Sequence, residues 1–419
     1  MIDNKKHDGD LNSLINIHFF PLTSQGNIYS MSKLSSSNGT NKILVASLKR
    51  KIYSCEADRE NNVLRPIVKE LLFTYIPNGA EIISIDGYNK KNFEEEYAIG
   101  ITIIKRSGDG TMERYLNIYS ETSGDGDSGI SSIETIAQNC LTVELSYTPY
   151  LLYHTFIYDK DIDEEIVWLI SGNDLQIHMI REDKLSHGYV ESKIDKYFPE
   201  FINLNALALW IDIYYYNDNK RRITAIGCQC GLVKITIVEI ETLKIIDEWK
   251  LRYASPISNV RIFPRFNNKT IDDKQVLDIL IVNLLNRTIV FSDVLRNGLK
   301  NDFTLVTENA DCILTSIVAD INMDGVNEIL LGTYTHEIYV FKINCDEKWI
   351  LSDKRKFDSP VYSMSYLDIT NDGMKELIVL TQRGVYILQH DLSKIQKILD
   401  KRLAKLSKHY DNCKTKIID

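Results

Sequence analysis

The residues best placed for chemistry stand in two copies of one short pattern. "DINMDGVNE" sets Asp320, Asn322, Asp324 and Glu328 at positions one, three, five and nine, with Gly325 at six. Forty-eight residues on, "DITNDGMKE" sets Asp368, Thr370, Asp372 and Glu376 at the same offsets, with Gly373 at six. Alternating side-chain oxygens before a glycine and a glutamate are how a calcium loop begins, because calcium takes about six to eight oxygens and the glycine permits the sharp bend. Asp and Asn also shape turns by binding nearby backbone amides, and glycine takes positive φ there. Thr370 replaces one acid in the second copy. The expectation is that both loops serve as turns and that the chain holds no cofactor. Calcium is the ion that Asp320, Asn322, Asp324 and Glu328 would take.

Other patterns carry less. "GDGDSG" (124–129) spells G-x-G-x-x-G, but it lies in a polar stretch with no helix after it, so the dinucleotide reading fails. "CQC" (228–230) has no second cysteine pair for a four-ligand zinc site. The eight histidines show no H-x-x-x-H or H-E-x-x-H grouping, and neither G-x-S-x-G nor a P-loop occurs. No catalytic residue is assigned, and the chain is expected not to be an enzyme.

The elements that hold these loops are strands. Short, alternating apolar runs rich in Ile, Val, Tyr and Leu fill the first 390 residues, broken by Asn, Asp, Gly and Lys clusters. A unit of four strands recurs, with first strands near residues 27, 81, 149, 205, 257, 312 and 361. The separations are 54, 68, 56, 52, 55 and 49 residues, close to the ~40–50 of a four-stranded propeller blade with generous loops. The seventh unit has three strands before the pattern changes, and "LINIHFF" (14–20) is expected to supply the fourth. Closure by an N-terminal strand removes the free edges of an open ring. The predicted fold is all-β, a seven-bladed propeller over residues 1–390, followed by a helix over 391–410 and a tail over 411–419.

In that helix Leu392, Ile395, Leu399, Leu403 and Leu406 recur at three or four and share one face. From residue 391 onward eight basic residues face four acidic ones, a surplus of four positive charges, whereas the chain as a whole is −9. The plainest reading is a helix packed on its own propeller or a solvated helix. The sharper one makes the leucine face a partner-binding surface, with a membrane-surface role third. A net-acidic chain is a poor match to nucleic acid, whose phosphates reward basic surfaces. No apolar run reaches the ~20 residues of a membrane span. Seven scattered cysteines and an acidic N-terminus without the order of a signal peptide point to a reduced, cytoplasmic compartment.

The acid loops, each followed by a run such as "EILLGTYTHEIYVFK", resemble the FG-GAP type of propeller repeat, differing in the glutamate at position nine and in Thr370. More specifically, the chain resembles the kaptin family across nearly its whole length. The stretches that carry this include "AEIISID" (80–86), "SGNDLQIH" (171–178), "FPEFINL" (198–204), "AIGCQCG" (225–231), "ADINMDGVNEILLGTY" (319–334) and "LDITNDGMKELIVL" (367–380). The resemblance implies a non-catalytic subunit of the KICSTOR assembly, paired with a second FG-GAP propeller protein and joined to a very large scaffold subunit. That assembly brings the GATOR complex, which acts on Rag GTPases, to the lysosomal surface and restrains TOR complex 1 when nutrients are scarce. It also implies an alternative: association with actin filaments at actin-rich cell edges. No catalytic residue is carried over.

Overall fold

The computed structural model describes residues 11–35, 41–60, 63–90, 96–120, 133–159, 162–183, 186, 188–266, 276–285, 287–307 and 312–418. The G-x-G-x-x-G stretch at 124–129 lies outside them. Twenty-eight strands form seven sheets of four, each antiparallel and in chain order except the last. The ring is the predicted seven-bladed propeller. Its first strands begin at Met31, Ala80, Pro149, Ala208, Ile257, Ile313 and Val361, within four residues of each position expected from the repeat.

The seventh blade is completed from the other end of the chain. Leu14–Pro21 lies outermost and pairs antiparallel with Gly384–His390, from Leu14 opposite His390 to Pro21 opposite Gly384. A register shift between Asn16 and His18 marks a bulge in this strand. Leu14 is buried among Phe357, Leu377 and Leu388. Phe20 meets Tyr53 of the first blade edge-on, with ring centroids 4.8 Å apart. The closing strand therefore ties the seventh blade to both neighbours.

The core lies between blades. In the second strand of the sixth blade, Glu328–Thr333, every residue is buried, as expected for a strand covered on both faces. Glycine appears where the next blade presses closest. A Cβ on Gly227 would stand 2.5 Å from a methyl of Ile257, and one on Gly332 would stand 2.7 Å from Val361. Both neighbours belong to the first strand of the following blade.

One boundary differs from the expectation. The C-terminal helix spans Leu392–Ile418, so it runs on through the segment 411–418 read as tail. Asp391 caps it: its Oδ1 accepts the amide of Ser393 at 2.9 Å, the usual device for the open first turn. Twenty-seven residues make an element about 40 Å long.

Candidate functional site

Each acid loop joins the first and second strands of its blade, between Ile313–Ala319 and Glu328–Thr333 in the sixth and between Val361–Leu367 and Glu376–Thr381 in the seventh. The chain reverses through two left-handed residues in each, Met323 and Gly325 in one, Asn371 and Gly373 in the other. Asp320 accepts the amides of Asp324 and Gly325, both at 2.9 Å. Asp324 accepts the amide of Val326 at 2.8 Å. Glu328 reaches back to accept the amide of Ile321 at 2.8 Å. The second loop repeats the scheme, with Gly373 bound to Asp368, Met374 to Asp372 and Ile369 to Glu376, each at 2.8 Å.

All four sequence-predicted residues of the first loop come together. Asp320, Asp324 and Glu328 bring oxygens within 4.8 Å of one another, as do Asp368, Asp372 and Glu376. This hard-oxygen set suits calcium in kind. Asn322, however, directs its amide nitrogen to Glu328 Oε1 at 2.6 Å and its oxygen to the Asp324 amide at 2.8 Å. A cation entering here would share every carboxylate with the bonds that shape the turn. Burial pushes the Glu328 carboxyl up to about 8, opposed by the Ile321 amide and reinforced by Asp324 and Asp320. Glu376 rises less, to about 6, again through burial, with the Ile369 amide and the Thr370 hydroxyl favouring its charge.

The helix presents a different kind of surface. Leu392, Leu399, Leu403 and Leu406 are exposed by 65%, 54%, 54% and 64%, whereas Ile395 is half-buried. Four of the five positions proposed from periodicity thus face solvent. Lys394, Lys397 and Lys401 fall on the opposite side of the helical wheel from these leucines. A helix lying in a lipid surface sets its apolar face in the acyl boundary and gains from basic groups near the headgroups. An apolar face with a lysine row opposite it is shared by helices that seat in protein grooves and helices that lie in a lipid surface.

Several ties could not be read from sequence because their partners are far apart. On the innermost strands Asp86 Oδ2 sits 2.7 Å from both the amide and Nδ1 of His154. Asp212 Oδ2 accepts the amide of Ile262 at 2.6 Å. Tyr29 crosses from the first blade to donate to the Leu209 carbonyl at 2.8 Å. In the connector before the fourth blade, buried Glu200 receives Arg222 through two bonds of 2.8 and 3.0 Å and the Thr224 hydroxyl at 3.0 Å. Only the acid of "FPEF" beside an arginine-led strand hints at this pair.

No helix among the described residues is long and apolar enough to cross a membrane. In fold the chain is similar to a crystal structure of BBS1N in complex with ARL6DN. The TM-score is 0.55 at 8% identity, with 90% of this chain and 97% of that chain covered. In sequence it is 33% identical over 398 residues to the KICSTOR complex protein kaptin of Mus musculus, spanning 93% of this chain and 91% of the mouse protein. The family model described as "KICSTOR complex protein kaptin" matches residues 14–400, from the closing strand to the start of the helix. The chain belongs to the kaptin family of KICSTOR complex proteins.

Proposed function

We propose that this chain is a non-catalytic scaffold subunit of a KICSTOR-like complex. In this reading it pairs with a second propeller protein, joins a very large scaffold subunit and brings the GATOR complex to the lysosomal surface. There it restrains TOR complex 1 when nutrients are scarce. The supporting observation is the near full-length match to a mouse protein named for that complex. The chain works in the cytoplasm and reaches the lysosome through its partners.

A rigid ring suits such work, since surface fixed beforehand costs little ordering when a partner binds. Leu392, Leu399, Leu403 and Leu406, with Ile395 at their base, are the contact for an assembly partner, and the acid loops act as turns without a required metal. A tagged pull-down from the native host, fed and starved, read by mass spectrometry, tests the reading. Recovery of a second propeller and a very large subunit in both states is expected. Recovery of actin and its regulators alone would replace this reading with the cytoskeletal one.

A further inference from the structure

The connector between the first and second blades, residues 72–79, carries the two most exposed large apolar side chains among the described residues, Leu72 at 76% and Tyr75 at 71%. It is also strapped down. Four carbonyls within five residues each accept a different side chain. Gln138 Nε2 donates to Leu72 O at 2.9 Å and Tyr119 Oη to Thr74 O at 2.6 Å. Asn117 Nδ2 donates to Tyr75 O at 3.0 Å and Arg50 Nη1 to Ile76 O at 3.2 Å. Tyr119 and Asn117 are themselves buried. Under this hold Tyr75 adopts φ +60°, a left-handed conformation that costs a bulky residue and persists only where its surroundings impose it.

A connector of this kind fixes its side chains outward before any partner arrives, and pre-ordered aromatic anchors are what strong contacts are made from. Beside it lies a cavity of about 580 Å³ whose lining includes Arg50, Tyr75, Asn78, Lys105, Glu113 and Thr142. There Lys105 and Glu113 pair at 3.7 Å, so Arg50 is the lining cation without an acidic partner among the described residues. The adjacent turn reads Lys49-Arg50-Lys51. Lys51 pairs with Glu70 at 2.9 Å, but Lys49 and Arg50 have no acidic partner among the described residues. Lys49 and Arg50 thus place two cations without a counter-charge among the described residues at one end of the connector.

We propose that this connector and cavity form a docking site for an extended, acidic segment of a partner protein. Carboxylates of that segment meet Lys49 and Arg50, and a bulky apolar residue lodges between Leu72 and Tyr75. The exposed polar side chains of Asn78 and Thr142 at its rim suit a peptide backbone, which a lipid surface could not bring into the cavity. The inference deepens the scaffold reading by naming a second contact face, separate from the helix.

The test uses the full chain and a labelled decapeptide alternating glutamate with leucine and phenylalanine, with lysine replacing glutamate in the control. Fluorescence anisotropy at physiological salt should show the acidic peptide binding at least tenfold more tightly. The variant Lys49→Glu with Arg50→Glu should lose that preference. Tyr75→Gly should weaken binding by a similar factor without lowering the melting temperature, because glycine accepts the left-handed φ. Leu399→Asp with Leu403→Asp should leave peptide binding intact, which separates this site from the helix. Equal binding of the two peptides, or sedimentation with phosphatidylserine vesicles in place of peptide binding, overturns the proposal.

Discussion

In the strand Glu328–Thr333 all six residues are buried; in the helix Leu392–Ile418 four leucines stand between 54% and 65% exposed. The strand lies inside a ring closed by chain ends, and the helix leaves that ring at Asp391. Burying one leucine is worth about 1.5–3 kcal/mol, so four exposed leucines forgo a gain that inner strands such as Glu328–Thr333 take along their whole length. Charge divides the same way. The segment from 391 carries a surplus of four positive charges, and the remainder of the chain a deficit of thirteen. The ring buries the apolar faces that hold its fold together, and the helix leaves four leucines exposed.

The largest test of this division removes residues 1–21. That deletes the strand paired with Gly384–His390 and bares the core around Leu14. Loss on the order of 5 kcal/mol is expected, enough to abolish a cooperative thermal transition. Truncation after residue 404 should leave the transition in place. Comparable loss from both truncations would erase the distinction.

Within the ring, Arg222→Ala strands the buried Glu200 carboxylate. A cost of about 3–5 kcal/mol is expected in urea unfolding. On the helix, Lys397→Ala should change stability by less than about 0.5 kcal/mol.

The pH dependence also belongs to the ring. Glu328 rises to about 8 in the folded state, so between the ordinary carboxyl range and pH 8 the folded state binds more protons than the unfolded. Stability therefore falls as pH rises through that window, by an amount on the order of 5 kcal/mol. Glu376 adds a share that ends near pH 6, its own value being about 6. His390 has the opposite sign. Burial lowers it to about 4, so the unfolded chain takes its proton first and stability drops as pH falls from about 6.5. The His390 window overlaps those of the two carboxyls and only partly offsets them. Denaturant midpoints should therefore fall from about pH 5 to 8, with Glu328→Gln flattening the part above pH 6.5. Millimolar calcium should leave that part unchanged. If calcium flattened it, the first loop would be a metal site.

Legibility followed the range of the interactions. Blade starts were readable because each strand's alternation is local, and "LINIHFF" (14–20) was readable as a strand with no edge left to pair except the last blade's. Both loops were readable because their bonds run within nine residues, yet the acid pattern alone did not separate a turn from a metal site. The structure adds the hydrogen bonds from neighbouring amides to the same carboxylates. The helix end was missed because "HYDNCKTK" (409–416) is polar, although Tyr410, Cys413 and Ile417 continue the spacing of three and four. Asp86 and His154 stand 68 positions apart, and Tyr75 occupies its left-handed turn without glycine or asparagine to announce it.

The most direct measurement compares the wild-type chain with Leu399→Asp, Leu403→Asp as bait in the native host, quantifying captured subunits by mass spectrometry. Thermal unfolding of the two baits should agree within about 0.5 kcal/mol, since both side chains face solvent. Capture of the assembly partners should fall by more than ~tenfold, as for loss of central apolar anchors. Capture at the wild-type level, or a variant that no longer folds, would contradict the assignment of this helix face to a partner.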